Sequence, residues 1–391
     1  MTHRTAVVLF NLGGPDSLAA VRPFLYNLFS DPDIFRFPLG ALAQKFFAWL
    51  IAARRAPEAA KGYAALGGRS PLLENTQRQA QALAQALAAD DSRDGGRSGP
   101  SWTSRGITPS LEGRGTTTGT WEVGQRTEQL PRAASGDGRD AGGRATHGAV
   151  AGTAADGTFE VFVCMRYWHP RASEVVAELK RQGFEHVILL PLYPQYSLTT
   201  SGSSYNEFQR ECERAGYRPQ ISFIRQWFEQ PDYQRAIIES LQREAAAFPD
   251  PDPARIEVLF SAHGLPRKIA DRGDPYEQHI HATYDALRAQ LGWPRTTLCY
   301  QSRVGPLEWL RPYAEDVIRE KAAAGAKQIL VYPIAFVSDH VETLYELGMT
   351  YAARAHECGV AHYRVCPALN DDPLLIQALR RLVLAAMKSH P

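Results

Sequence analysis

The chain reads as an α/β protein made of two similar halves that face each other across a cleft. Three observations predict this. Its strand-like segments are continuous apolar runs, such as Val7-Val8-Leu9-Phe10 and Val258-Leu259-Phe260, rather than alternating ones. Strands covered by helices on both faces read that way. Strand and helix patterns also alternate along the chain, which argues for parallel sheets. Finally, the sequence echoes itself. Gly183-Phe184-Glu185-His186-Val187-Ile188-Leu189-Leu190-Pro191 corresponds to Gly325-Ala326-Lys327-Gln328-Ile329-Leu330-Val331-Tyr332-Pro333, and Val7-Val8-Leu9-Phe10-Asn11 corresponds to Glu257-Val258-Leu259-Phe260-Ser261.

Taken in order, strands are expected at residues 6–11, 159–165, 187–193, 256–262, 297–301, 329–334 and 363–366. Helical patterns lie between them, at 173–182, 233–246, 278–290, 314–324 and 373–388. In both echoed passages a glycine follows a helix, where it can stop the helix in a left-handed conformation. The halves divide near residues 195–225. We take residues 1–195 as the first half and 196–391, with the crossover segment, as the second. Two facing halves make a cleft, the usual place for a ligand.

The 391 residues are 44% hydrophobic, enough for two ordinary cores. A net charge of +1 gives no field that would draw nucleic acid. The five cysteines form no CxxC pair, so neither a disulfide framework nor a zinc ribbon is supported. The apolar run at 6–12 meets Gly13-Gly14-Pro15-Asp16 too early for a signal peptide. Residues 46–53 fall far short of the roughly 20 that a spanning helix needs. The expectation is a soluble cytoplasmic monomer. Residues from about 90 to 156 stand apart: they hold 14 of the 31 glycines, and no period of 2 or 3.6 persists. Such a segment cannot bury enough surface to offset its ordering entropy. It is expected to be a disordered insertion in the first half, with a regulatory or partner-binding loop as the alternative.

Chemistry concentrates in two places. Phe260-Ser261-Ala262-His263-Gly264-Leu265-Pro266 ends a strand on a histidine between small residues. Ligands of open α/β sheets bind beyond the carboxyl ends of strands. His263 is therefore either a proton or metal group, or a histidine satisfied by local hydrogen bonds. Ser338-Asp339-His340-Val341-Glu342-Thr343-Leu344-Tyr345-Glu346 adds an imidazole and three carboxylates after another strand. Asp339 and Glu342 have capping-box spacing. Glu342 and Glu346 share a helix face, where their repulsion costs about 0.2–0.5 kcal/mol unless a cation passes. Histidine with carboxylate suits a borderline divalent metal such as Fe²⁺. Met165-Arg166-Tyr167-Trp168-His169-Pro170 offers an arginine for a carboxylate and aromatics for a flat ligand, or a plug on the sheet edge. Asn11-Leu12-Gly13-Gly14-Pro15 lacks a phosphate-loop fingerprint, and Trp309 is a further candidate wall. The apolar stretch near 33–53 could line a greasy site, touch a membrane surface or be a plain core helix.

Together these motifs resemble the ferrochelatases, which insert Fe²⁺ into a porphyrin at the end of haem synthesis. The resemblance extends through Tyr63 with Gly67-Gly68-Arg69-Ser70-Pro71, Pro191-Leu192-Tyr193-Pro194-Gln195-Tyr196-Ser197 and Ser201-Gly202-Ser203-Ser204. It continues through Arg272-Gly273-Asp274-Pro275-Tyr276 and Tyr300-Gln301-Ser302-Arg303-Val304-Gly305-Pro306. Only about residues 90–156 lie outside it. The resemblance implies a chelatase-like fold: two Rossmann-like halves, each with a parallel four-stranded sheet. It implies that His263 and Glu342 form the catalytic and metal pair. Glu346, His340 and Asp339 would continue a proton and metal path on a helix that often contains a π-bulge. Leu12, Arg166, Tyr167, Trp309 and Ser261 would line the porphyrin site. The segment at 33–53 would form a lip in peripheral contact with the inner membrane.

The substrates expected from the resemblance are protoporphyrin IX and ferrous iron, giving protohaem and two protons. Some relatives carry a [2Fe–2S] cluster. This sequence has no cysteine-rich C-terminal tail, and Leu198 stands where the inner cysteine would be, so no cluster is expected. Three rivals remain at this level: a chelatase for coproporphyrin or cobalt, a porphyrin carrier without catalysis, and a nucleotide-binding Rossmann protein. The paired Glu342 and Glu346 argue against a carrier. The missing glycine fingerprint argues against a nucleotide.

Overall fold

The computed structural model describes residues 4–34, 40–89 and 159–388. The segment expected to be an insertion lies outside them, as do residues 35–39 of the apolar stretch. The first half runs β1 (Thr5–Asn11), α1 (Val21–Phe29), α2 (Gly40–Ala65), α3 (Leu72–Ala88), β2 (Phe159–Met165), α4 (Ala172–Gln182) and β3 (His186–Pro191). A π-helix (Leu198–Gly202), α5 (Ser203–Ala215) and β4 (Gln220–Phe223) complete it. The four strands form one parallel sheet in the order β2-β1-β3-β4.

Helix α6 (Pro231–Ala245) leads into β5 (Glu257–His263), α7 (Arg267–Ala270), α8 (Tyr276–Leu291), β6 (Thr296–Gln301), α9 (Ala314–Ala323) and β7 (Gln328–Tyr332). A second π-helix (Glu342–Tyr351), α10 (Ala352–Glu357), β8 (His362–Val365) and α11 (Pro373–Lys388) follow. The second sheet is also parallel, in the order β6-β5-β7-β8. The internal echo is thus an architectural one: β5 repeats β1, and β7 repeats β3. In each half the strand flanking the first one runs on into a π-helix. The two glycine stops also hold, with φ of 73° at Gly183 and 90° at Gly325, where a Cβ would be strained.

One strand escaped the sequence pattern. Gln220–Phe223 is only four residues long, sits at a sheet edge and carries Gln220 and Ser222. It pairs with β3 through His186↔Gln220 to Leu189↔Phe223. The first sheet therefore extends past residue 195, because the crossover segment returns to its edge before entering the second half.

Successive side chains of a strand point to opposite faces, and both faces of β1 are buried. Val7 and Leu9 share a core with Leu83 of α3, Val258 and Phe260 of β5, and Leu379 of α11. Ala6, Val8 and Phe10 pack on the other face against Val176 of α4 and Phe208 of α5. One apolar core therefore links the two halves.

Polar bonds add direction to that contact. Gln79 of α3 is fully buried. Its Nε2 donates to the carbonyls of Val337 (3.1 Å) and Asn370 (2.8 Å), and its Oε1 accepts from Ser338 Oγ at 3.0 Å. Asn75 Nδ2 donates to the Asp339 carbonyl at 2.8 Å. The loop between β7 and the second π-helix is thereby held against the first half. Replacing Gln79 by Met keeps the volume but strands these buried groups, at about 1–3 kcal/mol. Urea unfolding of Gln79→Met is expected to show a loss of that order with an unchanged slope. A midpoint equal to the parent's would mean that the clamp adds nothing.

Candidate functional site

The site assembles at the carboxyl end of the second sheet. His263 is the last residue of β5. Its Nδ1 lies 2.6 Å from the Gly264 carbonyl, which can only accept. Nδ1 therefore carries a proton, so the neutral form of the ring has its lone pair on Nε2. That Nε2 lies 3.6 Å from Glu342 Oε2. His340 repeats the arrangement: Nδ1 lies 3.1 Å from the Ser338 carbonyl, and Nε2 lies 3.6 Å from the same Glu342 oxygen. Two imidazoles thus aim their second nitrogen at one carboxylate oxygen that has no hydrogen-bond donor of its own.

Local structure explains the placement. A Cβ on Gly264 would lie 2.8 Å from the Gln301 carbonyl and 3.1 Å from the Trp309 ring. The missing side chain lets the end of β6 and Trp309 close beside His263. Glu342 opens the second π-helix. Its backbone carbonyl lies 3.5 Å from Gln301 Nε2, and Gln301 Oε1 accepts from Ser261 Oγ at 2.8 Å. Gln301 is buried and ties the end of β5 to the start of the π-helix.

Charge sets the roles apart. Burial alone would push the Glu342 carboxyl up, but attraction to His263 and His340 outweighs it and holds the group below the usual carboxylate range. His340 moves the other way: burial opposes its charge, yet Glu342 and the Ser338 carbonyl hold its pKa above the ordinary imidazole value. Glu346 is raised, first by burial and then by the charge of Glu342. It accepts from the Ser302 amide (2.9 Å), from Ser302 Oγ and from the Tyr351 hydroxyl (3.0 Å). Ser302 has φ of 64°, a left-handed conformation that a serine rarely adopts, and this points both its donors at Glu346. Beyond Glu346 lies a cavity of about 130 Å³, lined by Arg303, Tyr313 and Glu315 among others.

The expected residues divide into two groups. His263, His340 and Glu342 come together, with Glu346 four residues on, and Trp309 stands beside His263 with ring centroids 6.4 Å apart. His263 keeps 37% of its side chain exposed, which leaves it accessible. Among the described residues no group of three or more His, Cys, Asp or Glu closes around a single point.

Four other residues do structural work. Asp339 has both oxygens bonded to Thr343, Ala368 and Asn370, which caps the loop. Ser261 is buried on Gln301. Arg166 is buried against Asp31 (2.7 Å), Glu207 (2.7 Å) and Ser203 (2.7 Å), and Tyr167 donates to Asp31 at 2.7 Å. Their donors are committed inside the first half rather than to a pocket wall. Leu12 follows β1 and lies half-buried against the cluster of α1 and α2. Phe336, whose ring lies 6.2 Å from His263 and 4.5 Å from His340, was not anticipated, because a lone aromatic just before Val337 carries no pattern. Gln301 and Ser302 were visible only as parts of a longer motif.

Comparison with known proteins follows the same lines. The family model described as Ferrochelatase matches residues 4–112 and 144–387. A ferrochelatase of Synechococcus sp. (strain JA-3-3Ab) is 38% identical over 97% of this chain and 93% of its own length. A ferrochelatase of Geotalea daltonii is 37% identical over 98% of both chains. Among solved structures, SirB from Bacillus subtilis with Fe3+ aligns with a TM-score of 0.43 at 12% identity, covering 59% of this chain and 82% of that one.

The bonds to Glu346 give a signed expectation. Hydrogen bonds from Ser302 favour the charged carboxylate and oppose its upward shift. In Ser302→Ala the carboxyl of Glu346, followed by ¹³C NMR, should titrate at higher pH than in the parent. A midpoint that stays put or falls would remove Ser302 from the control of that charge.

Proposed function

The chain belongs to the ferrochelatase family and makes haem by inserting iron into a porphyrin; from that premise we propose how its own residues carry the reaction. The reaction is Fe²⁺ plus a porphyrin with two pyrrole N–H groups, giving haem and two protons. Iron keeps its oxidation state, so the protein has to manage protons, metal ligands and ring shape.

In our reading protoporphyrin IX lies with its face towards His263. The neutral imidazole accepts a pyrrole proton on Nε2, the nitrogen left bare by the Nδ1–Gly264 bond. The imidazolium so formed faces the Glu342 carboxylate at 3.6 Å, which stabilises the new charge. His340, on the same oxygen, gives the proton an onward acceptor, and Glu346 leads from there towards the polar cavity. Ferrous iron would meet the same atoms. Two ligands at about 2.1 Å from a tetrahedral metal stand roughly 3.4 Å apart, close to the two 3.6 Å separations at Glu342. A weakly held ion suits a substrate that must leave its ligands for four pyrrole nitrogens. Trp309 and Phe336, whose rings lie 6.4 and 6.2 Å from that of His263, would bear on the shape of the macrocycle held there.

The observation that carries this reading is the shared Glu342 oxygen between two histidines of fixed tautomer. Anaerobic Fe²⁺ with protoporphyrin, followed by absorbance, tests it; coproporphyrin in parallel tests the choice of ring. His263→Ala and Glu342→Gln should each lower insertion by about 100-fold or more, while porphyrin fluorescence still reports binding. Near-parental insertion by His263→Ala would end the assignment.

The second part of the reading concerns delivery of an apolar ring. Helix α2 exposes Phe46 (58%), Trp49 (51%) and Leu50 (46%), and the Arg22 guanidinium lies 5.2 Å from the Trp49 ring centre. No helix among the described residues is long and apolar enough to cross a membrane. An aromatic beside a cation is suited to a lipid surface, where the ring sits at headgroup level. Flotation with anionic vesicles should carry the parent protein upwards and leave more Trp49→Ser in the bottom fraction. Equal flotation of the two would exclude this face.

A further inference from the structure

The loop Arg272-Gly273-Asp274-Pro275-Tyr276 lies outside the site, yet its bonds lead to it. Asp274 is buried at 3% exposure. Its Oδ2 accepts from Ser197 Oγ (2.9 Å) and from the Leu198 amide (2.7 Å), both at the start of the first half's π-helix. Its Oδ1 accepts from the Tyr276 amide at 2.9 Å. Tyr276 opens α8, and its hydroxyl donates to the backbone carbonyl of His263 at 3.0 Å. The next carbonyl along, that of Gly264, holds the ring proton of His263. A chain of hydrogen bonds therefore runs from the first half, through Asp274 and Tyr276, to the peptide next to the one whose carbonyl holds the imidazole.

Each link is directional, and the two bonds to Asp274 from Ser197 Oγ and the Tyr276 amide are buried. The three donors to Asp274 are neutral groups. Nearby His279 has its pKa lowered to about 4, first by burial and then by Arg225, so it is uncharged near neutrality and supplies no counter-ion. A buried carboxylate that depends on hydrogen bonds alone holds its donors tightly, because the bonds are charge-assisted. The Tyr276 hydroxyl in turn restrains the plane of the peptide after His263. The N–H of that peptide donates to the Gln301 carbonyl at 2.8 Å, so Tyr276 supplies the second of its two restraints, and its loss loosens the plane that leads into the Gly264 carbonyl.

We propose that Asp274 and Tyr276 are positioning residues, a relay that couples the docking of the two halves to the aim of His263 Nε2. The inference rests on the catalytic reading of His263 given above. It differs from a plain stabilising contact in what it controls: the orientation and tautomer of one ring, not the strength of porphyrin binding.

The test uses the full chain with ¹⁵N-labelled histidine. In the parent, neutral His263 should show the Nδ1–H tautomer. In Tyr276→Phe, which removes only the hydroxyl, the Nε2–H form should mix in. The kcat should fall several-fold while KM for porphyrin stays near parental, and the melting temperature should drop only by what one neutral hydrogen bond supplies. Asp274→Asn, which sets an amide donor against one of the loop's donors at unchanged size, should loosen the tautomer and lower kcat in the same way, with a larger fall in melting temperature. The double variant should lose no more than the worse single one, because both act on one chain of bonds. An unchanged tautomer in Tyr276→Phe, or losses that multiply in the double variant, would overturn the relay. A loosened tautomer with parental kcat would keep the relay and overturn the catalytic role of His263.

Discussion

Everything at this site depends on keeping one buried carboxylate charged. Glu342 Oε2 has no hydrogen-bond donor, and burial works against its ionisation. What holds it is the attraction of positive charge on the two imidazoles, whose Nε2 atoms lie 3.6 Å away. That distance is too long for a full hydrogen bond and short enough for a strong field in a low dielectric. The arrangement is under-satisfied by design of its geometry: a proton or a cation arriving between these atoms improves it. A carboxylate closed by Arg would be more stable and would have nothing left to offer a substrate. The contrast stands in the same molecule, where Asp31 is closed off by Arg166, Tyr167 and Ser203.

Much of the fold was legible because it rests on local pattern. Buried strands, glycine helix stops and the echo between 183–191 and 325–333 are short-range features, and the structure reproduces them in both sheets. β4 was not legible, since a four-residue edge strand gains its hydrogen bonds only from a partner already in place. Within the site, His263, His340 and Glu342 could be read because chemistry-bearing residues clustered after apolar runs. Arg166, Tyr167, Ser261 and Asp339 looked the same in sequence. What separates them is whether their polar atoms are already spent, and that is decided by partners far away in the chain: Asp31 for Tyr167, Asn370 for Asp339. Residue type announces capacity for chemistry, whereas only the fold shows which capacity is still free.

The two π-helices fit the same logic. Such helices are rare because their hydrogen bonding is poorer, and they survive mostly where function repays the cost. The second one starts at Glu342 and includes Glu346, so the irregular backbone sits under both acids. Part of its slack is taken up from outside, by Gln301 on the Glu342 carbonyl and by Tyr363 on the Leu347 carbonyl at 2.9 Å. The strained Ser302 does the same for the Glu346 side chain. The end of β6 thus acts as a brace: its side chains and backbone meet the acidic helix at three points and fix where the charges stand.

The halves must also stand in a fixed relation, because bonds from the first half position residues of the site in the second. The apolar core they share is strong but not directional. Direction comes from polar bonds in two regions. In one, Asn75 and Gln79 hold the loop that leads to Glu342. In the other, Ser197 and Leu198 hold Asp274, whose neighbour Tyr276 holds His263. The first half therefore sets the position of both reacting groups, each of which the second half carries. Both sets of bonds lie away from the reacting atoms. Misplacement of a catalytic group by about 1 Å can cost 100-fold in rate, so bonds remote from iron and pyrrole are expected to matter to turnover as much as the walls that touch the ring.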